Sequence, residues 1–240
     1  MENLLKGSSE LNKMFAGVQR TGAGLRRDFG EVENLQQSIT GARGFVKKAA
    51  ERIEESILSD LTLIRPNAGI LTPNYSRDGD GQSEFVLALS GAENFVRGNP
   101  NFAISCALRV AGETTVALVY SPIDDRLYYA EIDNGAFSFS TYHSAKIRVS
   151  ELKDPTDLTI AYNTSDFASR ARATHASRRI TGCPAMDMCW VAAGKFDAFV
   201  SDPLDYAEIC AGELIVNLAG GRIREMDGKI IIDNGKTEIS

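Results

Sequence analysis

Between residues 45 and 61, apolar side chains recur every three or four positions, with charged side chains between them. This spacing predicts an amphipathic helix that ends near Pro66, because the residue before a proline disfavours helical geometry. A second helix is predicted in the first thirty residues, with an interruption at Gly22 and Gly24. The apolar positions of the helix predicted at 45–61 are Phe45, Val46, Ala49, Ile53, Ile57 and Leu61.

After residue 85 the pattern changes to short runs rich in β-branched and aromatic residues, separated by turns. Helices are predicted at 186–193 and 206–218, each followed by a glycine that favours helix termination. Antiparallel meanders mixed with helix pairs indicate α+β layers rather than a doubly wound parallel sheet. The predicted strands are 85–89, 102–110, 114–120, 126–131, 221–226 and 229–232.

The composition is that of an ordinary globular chain, with 240 residues, 43% hydrophobic and 24% charged. We expect one domain over 1–240, with lobes of roughly 1–150 and 151–240. Apolar runs are too short to span a bilayer. The net charge is −6, and the basic residues form no stripe of the kind that binds nucleic acids. The four cysteines show no CxxC spacing, so reduced thiols and a cytoplasmic location are expected.

Four motifs carry a family resemblance. The motifs NFVRGNPNFAISCAL, beginning at Asn94, and VYSPIDDRLYYAEIDNGAF, ending at Phe137, come first. RRITGCPAMDM, which contains Asp187, and EICAGELI, which begins at Glu208, follow in order. In this order they resemble the inositol monophosphatase family, and within it the bacterial SuhB-like, or extragenic-suppressor, branch. The resemblance implies a layered αβαβα sandwich and a homodimer, here without the family's final helix.

The resemblance also implies a magnesium-dependent phosphatase site, and this chain departs from it at the positions that matter for chemistry. In the family, carboxylates and one carbonyl hold magnesium ions that clamp the phosphate and activate a water molecule. The motif LALSGA stands where the family has DPIDGT, so both aspartates are replaced. The aligned metal, catalytic and substrate positions are Pro73, Leu87, Leu89, Ser90, Ala92 and Ser201, and the upstream aspartates fall at Gly44 and Ala50.

Glu208 is the one carboxylate that the alignment retains, and it is a weak candidate for a metal ligand. A single glutamate does not complete the near-octahedral sphere of several magnesium ions, so we expect no catalytic residue and no cofactor. Glu93 replaces a threonine where family phosphates meet backbone amides, and its charge would repel a phosphate. The retained frame consists of Gly91, Asn94 and Asp187.

Three functions remain open on this reading. The first is a catalytically inactive or severely impaired family member with a binding role, for which the SuhB-like resemblance implies transcription and antitermination factors as protein partners. The second is a magnesium-dependent inositol- or sugar-monophosphate phosphatase with residual activity, using Glu208, Asp202 or Asp205. The third is a sensor that binds a small ligand in the old pocket without metal.

Overall fold

Two long antiparallel helices form the first layer. The structure is a computed structural model that describes residues 5–35, 39–141, 143–154, 156–165 and 176–236. Helix α1 spans Ser9–Leu35 and α2 spans Ile39–Ile64. The apolar repeat therefore predicted α2 correctly, although the helix begins earlier than the repeat does.

The predicted interruption of the first helix is wrong, because α1 continues through Gly22 and Gly24. A Cβ atom on Gly22 would lie 2.4 Å from the Tyr120 ring. Glycine at this position lets the helix backbone approach the sheet closely, and this packing outweighs the weak helix propensity of the residue.

The second layer is an eight-stranded sheet in the order β2-β1-β3-β4-β5-β6-β7-β8. All neighbouring strands are antiparallel except β1 and β3, which run parallel. The four strands predicted between residues 85 and 131 correspond to β3 to β6, so this part of the prediction is confirmed. The strands are Gly69–Thr72, Tyr75–Arg77, Ser83–Ser90, Ala103–Val110, Glu113–Ser121, Arg126–Glu131, Gly135–Ser140 and His143–Lys146. A short helix α3, Ala92–Val96, follows β3.

Beyond this sheet lie helices α4 (Pro184–Ala192) and α5 (Tyr206–Leu218), as predicted from their apolar content. A five-stranded sheet follows, in the order β10-β9-β11-β13-β12. Strands β12 and β13 were predicted, whereas β9 to β11 are short and lack a clear alternation of apolar and polar residues. The strands are Thr159–Asn163, Ser177–Arg179, Ala198–Ser201, Arg222–Met226 and Lys229–Asp233.

Strand β3 lies between two hydrophobic cores. Phe85 and Leu87 pack with α1 and α2, whereas Val86 and Ala88 pack with α4 and α5. The same alternation of faces is expected for any strand buried on both sides. The second sheet covers the far side of α4 and α5, so the described residues give four successive layers of helices and sheets.

The first sheet ends at Lys146 and the second begins at Thr159. The division into two lobes near residue 150 and the lack of a final helix stay predictions. Within the described ranges, no helix is both long and apolar enough to cross a membrane.

Candidate active site

The end of β3 is tied directly to the start of α4. The Ser90 side chain is fully buried, and its Oγ accepts a hydrogen bond of 3.2 Å from the Ala185 backbone amide. The Cys183 thiol lies 3.5 Å from the Ser90 carbonyl oxygen and 3.7 Å from Ser90 Oγ. Ser90 therefore joins the central strand to the helix instead of presenting a charge to a ligand.

Gly91 turns the chain from β3 into α3. Its φ of 79° lies in the left-handed region, and a Cβ atom there would lie 2.8 Å from the Asn101 carbonyl oxygen. Asn94 Nδ2 donates hydrogen bonds of 2.8 Å to the carbonyl oxygens of both Asn101 and Thr181. These retained residues hold three separate chain segments together around the site.

Asp187 is fully buried in the first turn of α4. The Thr181 hydroxyl donates a hydrogen bond to the Asp187 carboxyl group and lies 2.8 Å from both of its oxygens. The carboxyl group is otherwise shielded from water. Burial accordingly raises the pKa of Asp187 to about 7, and it raises the pKa of the Cys183 thiol to about 12. Asp187 thus belongs to the interior beside the site, in a structural position.

Leu87 replaces a family aspartate with a packed apolar side chain. It is 1% exposed and belongs to the core under α1 and α2. Leu89 is partly buried against the same core, and Ala92 begins α3 with a methyl group in place of a hydroxyl. Leu87 and Leu89 supply packing, Ala92 is exposed, and none of the three side chains offers an oxygen ligand.

Pro73 lies in the two-residue turn between β1 and β2. Its fixed φ suits the first central position of such a turn, and Thr72 Oγ accepts hydrogen bonds from the amides of Asn74 and Tyr75. The Glu54 carboxyl group approaches Thr72 Oγ at 3.4 Å from helix α2. The position of the family glutamate therefore serves to close a hairpin.

Glu208 lies in the first turn of α5, whose N-terminus is capped by the Asp205 side chain. Burial raises the pKa of Glu208, and the negative charge of Asp205 raises it further. Glu208 also contributes to the raised pKa of the Cys183 thiol, which places its charge near the Ser90 junction. The structure therefore brings the Glu208 charge within electrostatic reach of Cys183.

The other acids considered for a rearranged site are engaged elsewhere. Asp202 pairs with Lys229 and accepts hydrogen bonds from the Ser165 amide and the Thr164 hydroxyl. Ser201 is fully buried and exchanges two hydrogen bonds with Asn163 on the neighbouring strand β9. Both residues stabilise the second sheet.

Glu93 forms an exposed ion pair with Arg43, with Arg43 Nη2 3.2 Å from Glu93 Oε2. The repulsion of a phosphate expected from Glu93 is therefore reduced, because the positive charge of Arg43 partly offsets that of Glu93. Arg43 was missed because helix periodicity alone gives no contact between α2 and α3.

The described side chains fit a multi-ion magnesium centre poorly. Among the residues that the structure describes, no group of three or more His, Cys, Asp and Glu side chains could hold a metal ion. Of the aligned positions, only Glu208 and the Ser90 hydroxyl carry side-chain oxygen near the β3 end, and the hydroxyl already accepts the Ala185 amide.

Comparison with known proteins gives consistent matches over nearly the whole chain. The sequence model of the inositol monophosphatase family matches residues 8–239. An inositol-1-monophosphatase of Mesorhizobium japonicum is 33% identical, over 95% of this chain and 90% of that protein. A Nus factor SuhB of Pasteurella multocida is 28% identical, over 91% of this chain and 85% of that protein.

The fold is shared with a solved SuhB structure. The extragenic suppressor protein suhB of Bartonella henselae aligns with a TM-score of 0.83 and 30% identity, covering 95% of this chain and 94% of that one. The predicted α+β layered sandwich and the SuhB-like resemblance are both confirmed.

The expectation that this protein uses no cofactor is wrong in the light of these matches. The family is one for which magnesium is implied, and a relative of 33% identity over nearly the whole chain is named an inositol-1-monophosphatase. Replaced side chains at the aligned positions do not outweigh that relationship, so magnesium is the ion with which the site has to be tested. This chain belongs to the inositol monophosphatase family.

Proposed function

We propose that this protein is a binding member of its family, in which hydrolysis of phosphate monoesters is severely impaired. The observation that carries the proposal is the state of Leu87 and Ser90, which occupy the two aspartate positions. Leu87 is packed in the core under α1 and α2, and Ser90 Oγ is bonded to the Ala185 amide. Neither side chain supplies a carboxylate to hold the cations that would offset phosphate charge.

The size of the catalytic task supports the same proposal. Efficient hydrolysis of a phosphate monoester requires a barrier reduction on the order of 20 kcal/mol. In metal-dependent hydrolysis most of that reduction comes from charge stabilisation and water activation by ligands held in place. Here Glu208 is the one aligned carboxylate, and burial raises its pKa, which disfavours the charged form that a metal ligand needs.

A protein partner is the proposed object of binding. The relatives named Nus factor SuhB support a partner in the transcription and antitermination machinery. A homodimer is proposed as well, on the family resemblance, and sedimentation velocity would test it. A small ligand bound in the cleft without metal is the remaining form of a binding role.

The second candidate function is a magnesium-dependent phosphatase with residual activity. The 33% identity to an inositol-1-monophosphatase favours it. In such an enzyme Glu208 would be a metal ligand, because Asp202 and Asp205 are already engaged by Lys229 and by the α5 amides.

A phosphatase assay separates the two functions. Inositol-1-phosphate is incubated with the purified protein over a magnesium titration, and Glu208→Ala and Glu93→Ala are prepared in the same way as controls. We expect phosphate release at the level of a buffer blank at every magnesium concentration. Magnesium-dependent release that falls in Glu208→Ala would overturn the binding proposal and establish the phosphatase. Release that is equal in all three proteins would identify a contaminating host enzyme.

A further inference from the structure

Strand β2 is an edge that stays open on one side. It pairs with β1, and within the described part of the chain it has no second neighbouring strand. Tyr75, Ser76 and Arg77 are all exposed. The Tyr75 amide donates to Thr72 Oγ and so faces β1, which by the alternation of an antiparallel ladder turns the Ser76 amide outward.

A groove of about 480 Å³ lies between this edge and helix α2, and we call it the edge groove. Its apolar lining includes Leu58 of α2, Ile70 of β1 and Tyr75 of β2. Tyr75 is paired with Thr72, and Arg77 is paired with Ile70. The side chains of Tyr75 and Arg77 therefore lie on the face of the sheet that α2 covers. Tyr75 is 49% exposed, which leaves its ring free to contact another molecule.

Three acidic side chains, Glu51, Glu54 and Glu55, line the helical wall of the edge groove. Burial raises the pKa of Glu54, and the charge of Glu51 adds to this shift, as expected for acids crowded without full compensation. Arg77 is the basic residue of the lining, and its guanidinium donates to the Ala68 carbonyl oxygen at 3.2 Å. The groove therefore combines an open strand edge, an apolar floor and a negative wall.

We propose that the edge groove binds an extended basic segment of a partner protein, which adds to the sheet as a strand along β2. Lysine or arginine side chains at alternate positions would face Glu51, Glu54 and Glu55, and the backbone would bond to the outward Ser76 amide. Strand addition of this kind takes affinity from main-chain hydrogen bonds and specificity from alternate side chains. The overall charge of −6 favours encounter with a basic partner.

The dimensions and charges decide between occupants. The wall from Glu51 to Thr62 is about 17 Å long at the helical rise, which matches roughly five residues of a strand. A second copy of this chain, pairing edge to edge through β2, would bring two acidic walls together and meet like-charge repulsion. The groove contains none of the residues at the end of β3, so this inference goes beyond the proposed function and fails or succeeds separately.

Fluorescence anisotropy with a defined probe tests the proposal. The probe is a fluorescein-labelled octapeptide of alternating Lys and Val. Two peptides serve as comparators, one with alternating Glu and Val, and one with the four lysines placed before the four valines. We expect the alternating basic peptide to bind at least about tenfold more tightly than either comparator, with affinity that falls as salt rises.

Variants locate the binding. Glu51→Lys with Glu55→Lys should weaken the probe at least about tenfold, whereas Glu113→Lys with Glu225→Lys makes the same charge change at exposed sites outside the groove and should leave most of the affinity. Ser76→Pro removes the outward amide from an edge strand that tolerates proline, and should weaken the probe about fivefold or more. Ser76→Ala keeps the amide and should not.

Four outcomes would overturn the proposal. They are no binding of the alternating basic peptide, equal binding of the comparator with clustered lysines, binding that survives Glu51→Lys with Glu55→Lys, and loss of affinity in both variant pairs alike. Sedimentation velocity adds a fifth, since a dimer that Ser76→Pro dissociates would identify the occupant as a second copy of the chain.

Discussion

Two sets of residues meet at the end of β3, and they differ in what they do. Gly91, Asn94 and Asp187 fix backbone conformation and join chain segments through hydrogen bonds. Leu87 and Ser90, at the aligned aspartate positions, provide packing and one internal hydrogen bond. The contrast is one of chemistry: the first set holds the backbone in place, whereas the second set puts apolar packing and one hydrogen bond at positions where the family has charged side chains.

The strongest test of the contrast restores the family acids. Leu87→Asp with Ser90→Asp would place two carboxyl groups in positions that are now 1% and 0% exposed. Burying a carboxylate shifts its pKa by up to 3–5 units, so a loss of about 5 kcal/mol in the free energy of unfolding is expected without magnesium. Chemical denaturation measures it.

The matched control is Leu87→Asn with Ser90→Asn, which has nearly the same shape and no charge. It should lose less stability than the aspartate pair at pH 7. An aspartate pair that is as stable as the control in the presence of a chelator would mean that the site is still built for charge.

Asp187 provides a test by pH. Its folded pKa is raised to about 7, above the unfolded value, so the folded protein binds more protons than the unfolded one between pH 4 and 7. Stability from this group is therefore greatest at low pH and falls as pH rises through that window, by on the order of 3–4 kcal/mol at most.

Asp187→Asn removes this titration while keeping an acceptor for the Thr181 hydroxyl. Its stability relative to the parent protein should rise from pH 4 to pH 7 and then level off. Parallel curves of unfolding free energy against pH in the two proteins would contradict a raised pKa at Asp187.

Gly91→Val tests the retained backbone. The substitution adds strain at φ 79° and drives a side chain against the Asn101 carbonyl oxygen and Cys183 Cβ. A loss of about 3 kcal/mol is expected from strain and steric overlap together. Gly81→Val has a similar φ of 73° with nothing within 4 Å, and its smaller loss, about 1–2 kcal/mol, isolates the strain. Equal losses would show that the close approach at Gly91 is unimportant.

The smallest effect is expected at the rim. Glu93→Thr removes the exposed ion pair with Arg43 and restores the residue type of the family. Exposed pairs contribute little, so the free energy of unfolding should change by less than about 0.5 kcal/mol. A change above about 1 kcal/mol in the free energy of unfolding, measured by thermal or chemical denaturation, would show that Glu93 stabilises the structure at the end of β3.

The sequence was enough to predict the layered architecture because its central strands and both short apolar helices have strong local patterns. It did not predict β1, β2 or β7 to β11, all of which are short. For β1 and β11 the pairing also depends on distant partners, β3 and β13. The continuity of α1 through Gly22 was missed for a similar reason, because it depends on the position of Tyr120.

At the site, alignment with the family identified which positions had changed, but not what the new side chains do. The hydrogen bond between Ser90 and the Ala185 amide joins residues 95 positions apart and leaves no local signature. The Arg43–Glu93 pair likewise depends on how α2 packs against α3. The expectation of no cofactor failed because it weighed individual side chains and not the closeness of the relatives.

Because all four cysteines are buried, the rates at which they are alkylated report how often the protein opens locally. Cys106, Cys183, Cys189 and Cys210 are free and buried, and burial raises the thiol pKa of Cys106 and Cys183 to about 12. Alkylation requires an accessible thiolate, so each reaction must wait for a local opening that admits water and reagent. The alkylation rate of Cys183 reports the separation of α4 from β3, and the alkylation rate of Cys106 reports the opening of the first sheet. The cysteine that is alkylated first therefore identifies which of these two local openings is the more frequent.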